Sequence, residues 1–507
     1  MRNRPAPTPD EEVTSFRSIA DLPDTVDVLV VGAGISGIGA GWHLKARCPK
    51  RSFAIVEARD SIGGTWDLFR YPGVRSDSDM YTLGFRFKPW TNPKSIADGP
   101  SILAYLEDTV REHRLASHIH LGTRVLSASW SSSTSSWTVS VESGGSTRVV
   151  TCGYLFVCAG YYRYTAGYQP DFPGLASFCG TIVHPQHWPA ALDYADQRVL
   201  VIGSGATAMT IVPAMAATAA KVTMLQRSPT YVVARPDVDR LALLLRRFLP
   251  ENVAYRIIRR KNTALQQLFY RRMRQHPRQA RERLVGMVAE QLGPGFDVER
   301  HFTPSYDPWD QRLCLLPNGD LLESLAAGRV EIVTDRIAQF SATGVQLESG
   351  VVIEADLVVM ATGLQLAALG EMTLTVDGSP ILLGSTLSYK GLAFSGVPNL
   401  ATSFGYVNAS WTLRSDLTCE YVCRLLNHMV ATGTTTCTPV PRLEDEGMVT
   451  RPWIDGFTPG YMLRDLHRFP RQGDRAPWLN PQDYRRDVRL LRKDPVDDGV
   501  MRFTGRA

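Results

Sequence analysis

The chain has 507 residues, too many for one hydrophobic core, so two or three domains are expected. Hydrophobic residues at 44% and charged residues at 21% suit a soluble globular protein, and no apolar run approaches the length of a membrane span. Eight cysteines without a C-x-x-C pair exclude a zinc ribbon and a dithiol redox motif, and point to a reduced, cytoplasmic setting.

Residues 1–26 hold Pro5, Pro7, Pro9 and several acids, and lack an apolar run, so they read as a disordered tail rather than a signal peptide. Asp27-Val-Leu-Val-Val31 reads as a buried parallel strand. It runs into Gly32-Ala33-Gly34-Ile35-Ser36-Gly37, and a helix-like stretch and a second strand, Ser52–Val56, follow. In this motif Gly32 permits the turn, Gly34 lets a pyrophosphate approach the backbone, and Gly37 lets helix and strand pack closely. The pyrophosphate would sit on the helix N-terminus. Glu57 lies 20 residues after Gly37, where its carboxylate can accept from a ribose diol and repel a 2′-phosphate, so this site suits FAD or NAD.

The pattern recurs. Arg198–Ile202 reads as a strand, Gly203-Ser204-Gly205-Ala206-Thr207-Ala208 as its turn, and Lys221–Leu225 as the next strand. Ala208 stands where the third glycine would be, which the motif tolerates. The strand ends in Gln226-Arg227-Ser228, so a cation replaces the acid of the first unit. Arg227 can take a 2′-phosphate, so this site suits NADPH. The fold class is therefore α/β, with two doubly wound Rossmann-like dinucleotide-binding domains.

The stretch 237–311 breaks the pattern with helical spacing and reads as a helical insertion. From Arg240 to Arg283 it carries thirteen cations and two acids, a local charge of +11, while the rest of the chain sums to −6. Leu243–Leu245, Phe248, Leu249, Ile257 and Ile258 interleave with the arginines. A solvated face that steers an anionic cofactor accounts for the charge, and peripheral contact with anionic lipid is the competing reading. Nucleic acid is not expected, because no binding motif accompanies the charge. Val330–Val333 and Asp356–Met360 are further strands, the latter ending in Ala361-Thr362-Gly363, and beyond residue 430 the chain is proline-rich and loop-like.

Between the glycine motifs stands Phe178-Cys-Gly180-Thr-Ile-Val-His184-Pro-Gln-His-Trp188-Pro189. It resembles the F-x-G-x-x-x-H-x-x-x-W-P fingerprint of flavin-dependent Baeyer–Villiger monooxygenases. The likeness extends from about residue 25 to the C-terminus and is strongest to the mycobacterial ethionamide-activating branch. It is carried by Gly63–Gly73, Arg75-Ser76-Asp77-Ser78-Asp79-Met80, Pro308-Trp309-Asp310-Gln311-Arg312-Leu313 and Asn408–Leu413.

The resemblance implies FAD and NADPH as cofactors and molecular oxygen and a small ketone or sulfide as substrates. It implies that NADPH reduces FAD and that a peroxyflavin then converts ketones to esters or lactones, or oxidises thioether and thioamide sulfur. Thr65, Trp66, Asp67 and Leu68 would line FAD, Ser36 would meet its pyrophosphate, and Val125 would hold its adenine. Arg75, Ser76 and Asp77 would border flavin and nicotinamide. Arg312 would be the active-site arginine, holding negative charge at the reacting oxygen, with Asp77 fixing it. His184 would serve conformation rather than chemistry. Gln311 stands where many relatives carry a lysine for the 2′-phosphate, so NADPH preference rests on Arg227.

The implied FAD domain covers 27–158 and 364–507, and the NADP domain 159–236 and 312–363. Three other classes compete: an N-hydroxylating flavin monooxygenase, a plain NADPH oxidase or disulfide-reductase-like flavoprotein, and a non-catalytic redox-sensing flavoprotein. Trp188-Pro189 argues against the first, and the absence of C-x-x-C against the disulfide-reductase form of the second.

Overall fold

The structure, a computed structural model, describes residues 15–505. Residues 1–14 of the expected tail lie outside the described residues. Residues 15–26 correct that expectation: Arg17 bridges to His120, and Leu22 is buried in the core. The anchoring needs only one apolar side chain and backbone pairing, which composition does not reveal.

Strand β1 (Thr25–Val31) is buried on both faces over Val28–Val31. Each such side chain contributes about 1.5–3 kcal/mol of burial. Helix α1 (Ile35–Arg47) crosses over to β2 (Phe53–Val56), which pairs with β1 in parallel at Val31↔Val56. The sheet extends through β3 (Ile119–His120) on that side. On the other side comes a meander that the sequence reading did not contain: β4 (Arg124–Ser131), β5 (Ser136–Ser143) and β6 (Ser146–Val157). The C-terminal half of β6 lies parallel to β1 at Val31↔Val157.

The chain leaves this sheet through β7 (Tyr162–Gly167) and builds a second one from β8 (Thr181–Val183), β9 (Arg198–Ile202), helix α2 (Ala206–Met215) and β10 (Lys221–Gln226). Much later β11 (Val330–Thr334) and β12 (Leu357–Met360) complete it in the order β11-β10-β9-β12-β8, all parallel. Between β10 and β11 stand α3 (Arg240–Phe248) and α4 (Glu251–Gln275), followed by helices Pro277–Leu292 and Val298–Phe302.

The chain returns through β13 (Leu364–Leu366), which pairs antiparallel with β7. Strands β14 (Thr373–Val376) and β15 (Leu400–Thr402) then join β4 and β6 of the first sheet. Helix α5 (Trp411–Thr432) packs along α1. The later loops carry their own core, with Trp453, Ile454, Phe457 and Phe469 buried together. Among the described residues, no helix is long and apolar enough to cross a membrane.

Candidate active site

Both glycine turns open at the carboxyl ends of their parallel strands, where doubly wound sheets place ligands. One continuous cavity of about 1300 Å³ joins them. Gly32, at φ +102°, closes the β1 turn, and a Cβ there would lie 2.7 Å from the Cys158 carbonyl oxygen. A Cβ on Gly37 would lie 1.7 Å from the Gly32 carbonyl oxygen, so this position serves packing and does not line the cavity. Gly34 caps α1 and lines the cavity with Ser36, whose hydroxyl accepts from the Trp411 indole at 2.8 Å. The first-turn amides of α1 have no partner within the helix, and Ile35 and Ser36 of that turn line the cavity, where an anionic group can be received.

Glu57 stands at the end of β2 on the cavity wall, beside Val125. Its carboxylate accepts from the amides of Ala33 at 2.7 Å and Arg59 at 3.0 Å. Burial outweighs those bonds and holds its carboxyl above the ordinary range. Thr65 and Trp66 line the cavity, but Asp67 and Leu68 do not. Asp67 is turned inward onto Arg59, Ser61 and Arg70, because a helical turn sends successive side chains to different faces.

At the second turn Gly203 has φ +140°, and its Cβ would meet the Ala361 carbonyl oxygen at 2.3 Å. Gly205 faces open space, and Ser204, Ala206 and Thr207 line the cavity with it. Ala208 is fully buried in the core behind. Arg227 lines the cavity and has no ion-pair partner among the described residues. Gln226 does not: its amide donates to His301 O at 2.8 Å and to Thr334 at 2.9 Å on the opposite face. Side chains alternate along a strand, so Gln226 and Arg227 cannot share one site. A second cation at this end, Arg336, was not anticipated.

Between the two turns lies the segment Arg75–Asp79. Arg75 pairs with Asp320 at 2.5 Å and lines the cavity together with Ser76, whose hydroxyl donates to Ser78 O at 2.8 Å. Asp77 holds Arg312 by two contacts, Oδ2 to Nε at 2.6 Å and Oδ1 to Nη2 at 2.8 Å. Burial disfavours the guanidinium charge, but Asp77 and then the oxygens of Tyr161, Tyr461 and Tyr162 favour it, and the balance puts Arg312 above its ordinary value. Asp79 has a different task. It caps helix Met80–Leu83, accepting from the Thr82 amide at 3.1 Å and from Asn262 and Gln266 of α4.

Tyr161, Tyr162 and Tyr461 crowd the same place and were missed by sequence reasoning. The hydroxyls of Tyr161 and Tyr162 touch, and Tyr161 stacks on Trp411 with ring centroids 5.3 Å apart. Burial raises the pKa of all three, so they are neutral hydrogen-bond donors. For Tyr161 and Tyr162, a position just beyond β6, at a carboxyl strand end, was the available signal; Tyr461, in the helix Gly460–Asp465, carried none.

The fingerprint residues stand outside the cavity. Phe178 packs on Phe340, a Cβ on Gly180 would press on the Asp356 carbonyl at 2.4 Å, and Trp188 meets Tyr194. Pro189 closes a turn, its carbonyl accepting from the Leu192 amide at 3.2 Å. His184 sits at the crossing strands. Its Nδ1 accepts from the Gln186 amide at 3.2 Å, so Nε2 carries the proton and donates to Gly363 O, also at 3.2 Å. Burial lowers its pKa and favours this neutral form. Its ring fills the space a Cβ on Gly167 would need.

Residues 91–376 match the flavin-binding monooxygenase-like family, and residues 30–92 match the NAD(P)-binding Rossmann-like domain. The FAD-containing monooxygenase EthA of Mycobacterium tuberculosis is 51% identical over 486 residues, covering 96% of this chain and 99% of that protein. The probable FAD-binding monooxygenase AlmA of Acinetobacter baylyi is 44% identical, covering 94% and 96%. Among solved structures, an oxidised steroid monooxygenase bound to NADP is similar with a TM-score of 0.71 at 26% identity, over 82% of this chain and 88% of that one. An open form of cyclohexanone monooxygenase shares the fold at the same TM-score and 24% identity, over 83% and 90%.

Proposed function

The chain belongs to the flavin-binding monooxygenase-like family, and from that premise we propose that it inserts one oxygen atom into a ketone to give an ester or lactone, and that the same site oxidises thioether or thioamide sulfur. FAD and NADPH are its cofactors; bound FAD supplies oxygen activation with electrons from NADPH. The cradles fit two dinucleotides, since Cβ atoms at Gly32 and Gly203 have no room and Gly205 is bare toward the cavity.

In this reading the FAD unit comprises 27–158 with 364–507, and the NADP unit 159–236 with 312–363 around the helical insertion 237–311. The first turn of α1 holds the FAD pyrophosphate, and Glu57 accepts from its ribose hydroxyls. Arg227, aided by Arg336, takes the 2′-phosphate of NADPH and stands in for the lysine absent at Gln311. Arg312 stabilises the negative charge that develops on the substrate carbonyl oxygen, and Asp77 keeps its guanidinium aimed and charged. The tyrosine hydroxyls remain protonated and shield the site from bulk water. For location, we propose peripheral contact with an anionic membrane through the basic helices.

The observation that carries the reading is the Asp77–Arg312 pair, held on the wall of the cavity that both glycine cradles share. The test is a panel of ketones and sulfides with NADPH consumption and product measured together. Ester or lactone formed in proportion to NADPH supports the proposal. NADPH consumed with only hydrogen peroxide released, across the whole panel, refutes it.

A further inference from the structure

The helical insertion carries a surface that oxygen insertion does not use. Helices α3 and α4 are fixed from beneath by Ala242, Ala254, Tyr255 and Ile258, all buried. Arg259 is buried with them and donates to the carbonyls of Tyr81, Thr82 and Gly84. The outer face is a different composition. On α3, Leu241, Leu244 and Phe248 are exposed at 43%, 53% and 72%, and on α4 so are Ile257, Leu265 and Leu268, while the half-exposed Phe269 ring is taken by the Arg235 guanidinium.

Arginines are interleaved with these apolar side chains. Five cations of the segment are already spoken for, in the pairs Arg246–Glu251, Arg259–Asp416, Lys261–Asp239, Arg271–Asp483 and Arg274–Asp310. Arg240, Arg247, Arg260 and Arg272 have no acidic partner among the described residues.

A solvated or cofactor-steering face accounts for the arginines and leaves the leucines and Phe248 unexplained. A second copy of the chain would set one +11 segment against another. An anionic bilayer satisfies both halves. Lipid phosphates meet the guanidinium groups, while Leu and Phe enter the headgroup–acyl boundary and the arginine stems lie along it. We infer that the outer face of α3 and α4 is a docking surface for an anionic membrane. The inference deepens the peripheral-contact reading and is independent of oxygen insertion: vesicle binding can fail while ester formation stands.

The test is co-sedimentation of the purified holoenzyme with vesicles of phosphatidylcholine alone and of phosphatidylcholine with an equal share of phosphatidylglycerol. Binding should require the anionic lipid and weaken several-fold as salt rises. The variant Leu244→Asp with Phe248→Asp, which touches neither cradle nor cavity, should bind at least tenfold more weakly and keep its ester-forming rate in free solution. A Phe248→Trp reporter should shift its emission to the blue on anionic vesicles only. Three results overturn the inference. These are equal binding to both vesicles, unchanged binding by the double variant, and light scattering in which the double variant turns a dimer into a monomer while the parent ignores vesicles.

Discussion

Replacing Arg312 by alanine separates two halves of the reaction. A guanidinium has five N–H donors. Two face Asp77, through Nε at 2.6 Å and Nη2 at 2.8 Å, which leaves three for a reacting oxygen. Loss of one well-aimed donor of this kind costs about 10²–10³ in rate, or roughly 2.7–4 kcal/mol of transition-state stabilisation. The cost to folding is much smaller. The Arg312 and Asp77 side chains are 33% and 29% exposed, so solvent screens the orphaned carboxylate and the pair is worth at most about 1 kcal/mol. Arg312→Ala should therefore melt within a few degrees of the parent, bleach its flavin with NADPH under anaerobic conditions, and lose at least a hundredfold in ester formation. Arg312→Lys restores the charge without the paired contacts and should fall between. Rapid-mixing absorbance follows the first half and gas chromatography the product. Ester formation within tenfold of the parent would refute the role. So would a parallel loss of flavin reduction, which would make Arg312 a cofactor-positioning residue instead.

Three other outcomes follow from the same geometry. Burial lifts the Glu57 carboxyl above its ordinary range, and its ionised form accepts from ribose hydroxyls more strongly and through both oxygens, whereas protonation turns one oxygen into a donor, so FAD affinity of the apoprotein should be full at high pH and decline as pH falls through that raised pKa. Glu57→Gln should bind more weakly at every pH and lose this slope in a flavin-fluorescence titration; an unchanged slope would assign the pH dependence elsewhere. Arg227→Ala should raise KM for NADPH about 10- to 100-fold, the worth of a charged hydrogen bond to phosphate, and leave NADH unchanged; equal losses would remove Arg227 from the 2′-phosphate. Gly37→Ala places a Cβ 1.7 Å from the Gly32 carbonyl and should cost at least about 1–3 kcal/mol in melting experiments, whereas Gly205→Ala meets nothing within 4 Å and should keep its melting temperature while losing NADPH affinity.

The parallel core strands were legible because their apolar runs end in glycine: Asp27–Val31 was expected where Thr25–Val31 stands, and Arg198–Ile202 matched residue for residue. The β4–β6 meander was also patterned, since Ser136–Ser143 buries every second residue at Trp137, Val139 and Val141, but no glycine motif drew attention to it. Residues 453–469 read as loop because their buried aromatics follow no period. Within the site, Asp77 and Asp79 are two residues apart and of one type. Only the fold separates the partner of Arg312 from the cap of a helix. Tyr461 lies far along the chain from Tyr161, and nothing local links them.

The interleaving of the two sheets has a consequence for how the protein is made. Strands β14 and β15 close against β4 and β6 across a gap of more than 200 residues, and all five strands of the other sheet lie inside that gap. On the ribosome the inner, all-parallel sheet can therefore finish first, while the outer one waits with β4 and β6 each lacking a partner. The finished inner sheet also shortens the effective loop that the outer one has to close, because its ends leave side by side through β7 and β13. Weakening that pair of crossing strands should delay assembly of the outer sheet more than it lowers the stability of the completed chain.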